Sequence, residues 1–159
     1  MAFVGIVAVD RNRAIGMGGS LPWHYSSDMK FFRAQTSGQI CVMGHNTWRS
    51  LKKPLPNRLN VVLSRTGITE PHPSVLVVPD SNAVLALAPY VRDDIFIMGG
   101  ARTYAAFANE ITRWIVTEVP LTVEGADTFM PADFLDGFQK VESLSLEEGL
   151  VVKFYKRDS

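Results

Sequence analysis

The chain has 159 residues, of which 47% are hydrophobic and 20% are charged. These ordinary globular proportions exclude a disordered or fibrous chain, and the length predicts a single domain over residues 1–159 with a sizeable core. No apolar run reaches the roughly 18 residues of a membrane span. Because Cys41 is the only cysteine and no basic segment precedes the apolar residues 1–9, we expect a cytoplasmic protein without a signal peptide.

The overall charge of zero hides an asymmetry between two parts of the chain. Residues 1–65 carry nine Lys and Arg against two acidic residues, a net charge of +7, and residues 66–159 carry a net charge of −7. A basic half can attract a small anionic ligand, although scattered surface charges produce the same count. Because the basic residues form no run and no pattern interleaved with aromatic residues, we expect no nucleic acid partner.

Short apolar runs alternate with segments typical of helices, which predicts an α/β fold. The early runs are apolar throughout, as in parallel strands covered on both faces, whereas the last two contain charges, as in an edge hairpin. We therefore expect a mixed, mostly parallel, eight-stranded central sheet with a C-terminal antiparallel hairpin and about four flanking helices. The predicted strands are residues 3–9, 40–43, 60–64, 75–78, 94–98, 113–119, 138–144 and 150–156.

The helices are predicted from their spacing of apolar residues and from polar residues at their starts. Asp28 falls in the first turn of the first helix, where the helix dipole favours a carboxylate. The predicted helices are residues 27–36, 46–51, 82–88 and 101–108, with Ser26 or Ser27, Asn46 and Ser81 as N-caps of the first three. The irregular stretches are candidate functional loops, at residues 10–25, 65–74 and 120–137.

One carboxylate stands out in the first half of the chain. Asp28 follows a loop that carries Gly19 and the motif Leu21-Pro22-Trp23, and it shares a helix face with Phe32, with Met29 beside it. Burial in such an apolar pocket raises the pKa of an acid, which can then hold the donor groups of a protonated heterocycle. The alternative is that Asp28 only complements the helix N-terminus.

Two strand-to-helix turns contain glycine and are candidate phosphate sites. They are Met98-Gly99-Gly100-Ala101-Arg102-Thr103-Tyr104 and Met43-Gly44-His45-Asn46-Thr47-Trp48. Glycine lets the backbone approach a phosphate and a helix start offers free N–H groups, although such a turn is often only a turn. Ser64-Arg65 adds a hydroxyl and a guanidinium after a third strand. Because ligands bind beyond the carboxyl ends of parallel strands, we expect these segments to form one site.

A rigid loop presents one further candidate. The two prolines of Pro54-Leu55-Pro56-Asn57-Arg58 hold an arginine suited to a bidentate carboxylate contact, unless Arg58 is simply an exposed turn residue. The three histidines lack metal-ligand spacing, so we predict no metal site. Cys41 lies in an apolar run and is expected to be a small buried hydrophobe, not a nucleophile.

Taken in order, these motifs resemble those of dihydrofolate reductases of the chromosomal bacterial type. The matching segments follow the family's order and spacing across nearly the whole chain. They are Ala8-Val9-Asp10, Ile15-Gly16, Leu21-Pro22-Trp23, Asp28, Phe32, Val42-Met43-Gly44, Thr47-Trp48, Pro54-Leu55-Pro56-Asn57-Arg58, Met98-Gly99-Gly100, Tyr104, Thr117 and Glu124-Gly125-Ala126-Asp127-Thr128. The resemblance implies NADPH-dependent reduction of 7,8-dihydrofolate to 5,6,7,8-tetrahydrofolate, with hydride passing from nicotinamide to pterin C6, and binding of antifolates.

The resemblance also implies a role for each matching residue on the substrate side. Asp28 would bind the pterin and promote protonation at N5, and Thr117 would orient Asp28. Trp23 would help to hold an ordered water, and Leu21 would lie on the loop that closes over nicotinamide. The other implied substrate contacts are Ile6, Met29, Phe32, Leu51, Arg58, Met98 and Tyr104, with Arg58 binding the glutamate carboxylate.

On the cofactor side the resemblance implies contacts with each part of NADPH and a cis Gly99–Gly100 peptide bond. His45 stands where many family members carry arginine, so Arg65 is expected to contribute more to the preference for NADPH over NADH. The implied contacts are Ala8, Ile15 and Gly16 for nicotinamide; Gly44, His45, Thr47, Gly99, Gly100, Ala101, Arg102 and Thr103 for the phosphates; and Ser64 and Arg65 for the 2′-phosphate.

Two other hypotheses stay open at this point. One is a pyrimidine reductase of the riboflavin-pathway type, which shares the fold and NADPH but is expected to lack the pair of Asp28 and Arg58. The other is a non-catalytic nucleotide-binding protein. A monomer is expected because no large apolar stripe is left over in the sequence.

Overall fold

The computed structural model describes residues 1–18, 21, 23–68 and 70–158, which form ten strands and four α-helices. The strands are β1 (Phe3–Val9), β2 (Ala14–Gly16), β3 (Ile40–Gly44), β4 (Leu59–Leu63), β5 (Val75–Val78), β6 (Ile95–Ile97), β7 (Ile111–Glu118), β8 (Thr128–Phe129), β9 (Phe138–Ser145) and β10 (Val151–Arg157). The helices are α1 (Ser26–Thr36), α2 (His45–Ser50), α3 (Ser81–Leu87) and α4 (Ala101–Ala106). None of the described helices is long and apolar enough to cross a membrane.

Eight of the described strands form one sheet in the order β5-β4-β3-β6-β1-β7-β10-β9. Strands β5 to β7 in this order all pair in parallel, whereas β10 runs antiparallel to both β7 and β9. The predicted mixed sheet with its C-terminal hairpin is therefore confirmed. The carboxyl ends of the parallel strands lie at one edge of the sheet, which is where this arrangement binds ligands.

Apolar layers cover both faces of the sheet, because alternate residues of each strand point to opposite faces. On one face Phe31 of α1 packs with Val4, Cys41 and Val62 of the strands. On the other face helices α3 and α4 pack against residues such as Val7, Val42 and Trp114. The continuously apolar sequences of β1, β3 and β6 follow from this burial on both sides. By contrast, β9 lies at the sheet edge and is exposed along most of its length.

Two strands were not predicted. Strands β2 and β8 pair antiparallel with each other outside the main sheet, inside the stretches predicted as loops 10–25 and 120–137. Segments of three and two residues are too short to show a strand pattern, and their pairing joins distant parts of the chain. This small ribbon holds Ile15 and Gly16 close to the carboxyl end of β1.

The predicted helix caps were wrong. Tyr25 precedes α1 and Gly44 precedes α2, and neither donates or accepts a side-chain cap bond. Helix α3 is capped by Asp80, whose carboxylate accepts the N–H of Ala83 at 3.0 Å, so Ser81 is already inside the helix. The Ser27 hydroxyl instead donates to the Glu147 carbonyl at 3.3 Å, next to the β9–β10 turn. Asp28 does lie in the first turn of α1, as predicted.

Gly5 of β1 has no room for a side chain. A Cβ atom there would lie 2.4 Å from ring carbons of Trp114, and that ring is itself packed against Tyr104 and Phe134 at centroid distances of 5.4 and 5.2 Å. We expect Gly5→Ala to lower the free energy of unfolding by about 1–3 kcal/mol, because the ring cannot retreat without disturbing its neighbours. Urea denaturation would measure this, and the cost should shrink in a Trp114→Leu background. An unchanged midpoint in the single variant would contradict the close contact.

Candidate active site

The sheet opens at one place between two neighbouring parallel strands. The pairing of β1 with β6 ends where Gly5 lies opposite Ile97, whereas β1 continues to pair with β7 as far as Val9. The next residue of the β6 segment, Met98, bonds instead to β3, through its N–H to the Val42 carbonyl at 3.0 Å. The backbones of Ile6 and Met98 therefore diverge, and a cleft opens between them at the carboxyl edge of the sheet.

Asp28 lies at the wall of this cleft, half-buried in the first turn of α1. Burial raises the pKa of Asp28, and the Thr117 side chain opposes the shift only in part. Thr117 is buried on β7, where it pairs with Ala8 of β1. The acid predicted on α1 and the threonine predicted on β7 thus lie near each other.

The apolar side chains predicted near the acid belong to two clusters. Phe32, Leu51 and Met98 are partly buried and pack against the same cluster as Ile6. Trp23 is buried with Val119 and Leu150, and its indole Nε1 finds no hydrogen-bond partner among the described residues.

Other residues predicted near the acid lie further from this apolar cluster. Met29 is 49% exposed and Leu21 is 56% exposed, so neither is held in the core. Pro22 and Gly19 of the predicted loop lie outside the described residues.

Tyr104 supports the floor of the cleft from α4. Its phenol donates a hydrogen bond to the Ile6 carbonyl at 2.7 Å and is buried, which raises the Tyr104 pKa well above its usual range. A carbonyl oxygen has two lone pairs, so the Ile6 carbonyl can still accept a second donor from the cleft. The sequence alone did not indicate that Tyr104 acts on this carbonyl, because the two residues are 98 positions apart.

The two glycine turns meet beside the cleft. The Gly44 N–H donates to the Gly99 carbonyl at 2.8 Å, and the Gly99–Gly100 peptide bond is cis. A Cβ atom on Gly44 would lie 2.8 Å from the Thr103 hydroxyl oxygen, and one on Gly99 would lie 3.5 Å from the Thr47 hydroxyl oxygen. The turns therefore form a cradle lined by backbone and two hydroxyls, which a side chain on Gly44 would fill. The backbone N–H groups and the two hydroxyls of this cradle are hydrogen-bond donors, which fit a phosphate.

A polar group extends this cradle toward β4. The Ser64 hydroxyl lies 3.3 Å from Nδ1 of His45 and also donates to the Gly67 carbonyl at 3.1 Å. Two exposed arginines lie close to these segments in the sequence: Arg65 follows β4, and Arg102 lies within α4. The predicted strand ends therefore lie at the same sheet edge.

Arg58 is not the exposed turn residue of the alternative interpretation. Only 7% of its surface is exposed, and burial lowers its pKa. Nε donates to the Pro56 carbonyl at 2.8 Å, Nη1 donates to the Thr36 hydroxyl at 3.0 Å, and the guanidinium lies 5.9 Å from the Phe32 ring centroid. None of the ion pairs between described residues involves Arg58. A buried cation without a carboxylate is costly unless a ligand supplies one.

Comparisons with known proteins agree with this geometry. The sequence model of the dihydrofolate reductase family matches residues 2–154. The chain belongs to the dihydrofolate reductase family. Dihydrofolate reductases of Neisseria meningitidis and Neisseria gonorrhoeae are 41% and 39% identical to it, over 80% and 79% of this chain and 77% and 76% of theirs.

The fold of this family member also matches a solved structure. The dihydrofolate reductase from Enterococcus faecalis complexed with NADP(H) and RAB-propyl has a TM-score of 0.88 and 28% sequence identity, covering 99% of this chain and 97% of that one. The resemblance seen in the sequence motifs is therefore confirmed, and so is the predicted family fold.

Two aspartates in this family member join the loops beside the cleft. The Asp10 carboxylate is buried and accepts the N–H groups of Asn12, Ala14 and Val123, each at 2.8 Å. The Asp127 carboxylate accepts the Gly18 N–H at 2.9 Å. Both aspartates lie in motifs shared with the family, but the sequence did not indicate a role for either. The role of Asp10 could have been inferred from its position, because it is a carboxylate directly after a buried strand.

Asp10 gives a pH-dependent contribution to stability. Burial raises its pKa, but the N–H groups of Val123, Ala14 and Asn12 outweigh this, so the pKa lies below the ordinary value. Such a carboxylate stabilises the fold above about pH 4, the ordinary aspartate pKa, and loses that effect as pH falls through its own lower pKa. We expect Asp10→Asn to lower the free energy of unfolding at pH 7 by about 1–3 kcal/mol, with a smaller difference in acid.

Urea denaturation at pH 7 and across the acidic range would measure this difference. Asp127→Asn is a matched control on the partner loop, because Asp127 is exposed and should contribute far less to stability. A cost for Asp10→Asn that does not change with pH would show that packing, not the charge, accounts for it.

Proposed function

We propose that this chain catalyses the NADPH-dependent reduction of 7,8-dihydrofolate to 5,6,7,8-tetrahydrofolate. The observation that carries the proposal is a pair of ionisable groups: a desolvated acid, Asp28, which precedes Phe32 by four residues on α1, and a buried guanidinium, Arg58, which lies over the Phe32 ring without a carboxylate among the described ion pairs. Dihydrofolate is an elongated molecule with a pterin ring at one end and a glutamate at the other. Family membership and the NADP(H) bound to the E. faecalis relative support the same reaction.

In this proposal Asp28 acts at the pterin ring. Its carboxyl group binds the ring amino group and a ring nitrogen, and it promotes protonation at N5 while hydride arrives at C6. Because burial raises its pKa, Asp28 holds a proton at higher pH than an exposed aspartate does. Thr117 orients the carboxyl group, and the unpartnered Nε1 of Trp23 is a donor suited to an ordered water in the same pocket.

The rest of the substrate lies along the apolar wall. The pterin and aminobenzoyl rings pack against Phe32 and Leu51, and the Ile6 and Met98 backbones meet the pterin amino group. The glutamate carboxylate pairs with Arg58. Met29 and Tyr104 complete the proposed contacts, Met29 from the exposed rim and Tyr104 through the Ile6 carbonyl.

NADPH supplies the hydride, and the chain binds and aligns it. The glycine cradle receives the pyrophosphate, since a Gly44 side chain would close the space beside Thr103. Leu21 lies on the loop that covers nicotinamide and excludes water. The other cofactor contacts are proposed as Ala8, Ile15 and Gly16 at nicotinamide, His45, Thr47, Gly99, Gly100, Ala101 and Arg102 at the phosphates, and Ser64 and Arg65 at the 2′-phosphate, where Arg65 contributes more to the preference for NADPH over NADH.

The same site argues against the two other hypotheses. A pyrimidine reductase of the riboflavin-pathway type or a nucleotide-only binder has no use for Asp28, Thr117 and Arg58 along one cleft. A titration with methotrexate separates them, because a nucleotide-only binder should not bind it. We further propose a monomer made of one domain, and a reducing cytoplasmic location that suits the free, buried Cys41.

Asp28→Asn tests the proposed acid. We expect a folded protein that still binds NADPH but loses turnover, most severely at high pH, where solution supplies few protons to N5. NADPH oxidation followed by absorbance, with and without dihydrofolate and as a function of pH, measures it. A carboxylate with a raised pKa destabilises the fold above that pKa, so Asp28→Asn should not lower stability at pH 7. Unchanged turnover in this variant would refute the assignment.

Arg58→Ala tests the carboxylate contact. Loss of a charge-assisted pair costs about 1.5–3 kcal/mol, so dihydrofolate should bind roughly 10- to 150-fold more weakly while NADPH binding stays close to normal. Arg65→Ala is the matched control, because it should weaken NADPH and spare dihydrofolate. Fluorescence titration of each variant with each ligand gives the four constants. Equal weakening of both ligands by Arg58→Ala would mean that the arginine supports the fold and not the substrate.

A further inference from the structure

Thr36 links helix α1 to Arg58 by a hydrogen bond that the sequence did not reveal. Thr36 is fully buried at the end of α1, and its hydroxyl donates to the Phe32 carbonyl at 2.8 Å. The same oxygen accepts a hydrogen bond from Arg58 Nη1 at 3.0 Å. A threonine hydroxyl has one proton and two lone pairs, so donation to Phe32 turns the lone pairs toward the guanidinium.

The two hydrogen bonds of Arg58 fix the plane of its guanidinium. Nε is held by the Pro56 carbonyl of its own loop, and Nη1 is held by Thr36, which lies 22 residues away on α1. Two of the five N–H donors are thereby used, and three remain for a ligand. Because Arg58 is buried and the Phe32 ring lies 5.9 Å from it, the head group is held in this orientation before any ligand arrives.

A purely structural role does not account for the hydroxyl. Threonine hydroxyls in helices often donate to the carbonyl four residues earlier, and that bond alone slightly weakens a helix. A valine would fill the same space without it, and the neighbouring side chains Phe31 and Cys41 are apolar or weakly polar. The Cys41 thiol is buried beside the group, and burial raises its pKa to about 11, against the opposing effects of Arg58 and Thr36. The thiol is therefore neutral and supplies no charge to Arg58.

We propose that Thr36 is a positioning residue for substrate specificity: its hydroxyl orients Arg58 to receive the carboxylate of the substrate. The inference rests on the proposed function and deepens it, since it assigns selection of carboxylate-bearing pterins to a residue outside the cleft. Asp28, Phe32 and Thr36 follow one another at intervals of four along α1. One helix face therefore fixes the acid at one end of the substrate and, through Thr36, the arginine at the other.

The test compares ligands with and without the carboxylate. Methotrexate carries an aminobenzoylglutamate, whereas trimethoprim is a diaminopyrimidine without a carboxylate. The variants Thr36→Ser and Thr36→Ala form a matched pair for calorimetric titration, because they differ from each other only by the hydroxyl. We expect Thr36→Ala to bind methotrexate about 3- to 30-fold more weakly than Thr36→Ser, while trimethoprim distinguishes them by less than about twofold.

Steady-state kinetics provides a second readout. The KM for dihydrofolate should rise in Thr36→Ala and Thr36→Val by a larger factor than kcat changes, and the pH profile set by Asp28 should keep its midpoint. Thr36→Ser should restore KM toward the wild-type value. In an Arg58→Ala background the Ser and Ala variants should bind methotrexate equally, because the hydroxyl then has no guanidinium to orient.

Each contrary outcome identifies what fails. If Thr36→Ala and Thr36→Ser bind methotrexate equally, or if both ligands weaken by the same factor, Thr36 only supports the fold and the inference is overturned. If the pair still differs after Arg58 is removed, the hydroxyl acts by another route and the inference is again overturned. Wild-type protein that binds neither antifolate would overturn the proposed function together with this inference.

Discussion

The separation of two adjacent parallel strands, β1 and β6, creates the opening around which the candidate active site is built. Strands β1 and β6 stay paired only up to Gly5 and Ile97, and beyond that point β6 continues to follow β3. The Tyr104 phenol donates to the Ile6 carbonyl beside this opening. Gly5 makes this arrangement possible, because only a residue without a side chain allows Trp114 to pack behind Tyr104.

Helix α1 carries Asp28 and, through the Thr36 hydroxyl, accepts a hydrogen bond from Arg58. Asp28, Phe32 and Thr36 occupy successive turns, so the acid and the residue that holds Arg58 are about 12 Å apart along the helix axis. Burial disfavours the charged form of both ionisable groups, raising the pKa of Asp28 and lowering that of Arg58. Neither group is stabilised by an opposite charge among the ion pairs of the described residues. Such unfavourable groups reduce stability, and they are typical of sites where a ligand supplies the missing partner.

The sequence revealed the sheet and much of the site, because both follow from local patterns. Continuous apolar runs indicated β1, β3 and β6, and the position of Asp28 after a loop and before Phe32 indicated an acid in an apolar pocket. Contacts between distant residues left no such pattern. The β2–β8 ribbon, the burial of Arg58 and the bond from Tyr104 to Ile6 each depend on a partner far along the chain. The helix caps were missed because each helix begins one or two residues earlier than predicted, after Tyr25, Gly44 and Asp80.

Three aspartates show how one residue type has its pKa lowered or raised by its surroundings in the same structure. Asp10 is buried, yet three backbone N–H groups keep it ionised, so it serves as a fixed anchor for two loops. The Gly18 N–H and the Thr128 hydroxyl likewise lower the pKa of Asp127, which joins those loops across 109 residues. No N–H group of the described backbone donates to Asp28, and the effect of Thr117 does not offset its burial. Among these three aspartates, the number of backbone N–H donors, more than the depth of burial, therefore decides whether the pKa lies below or above the ordinary value.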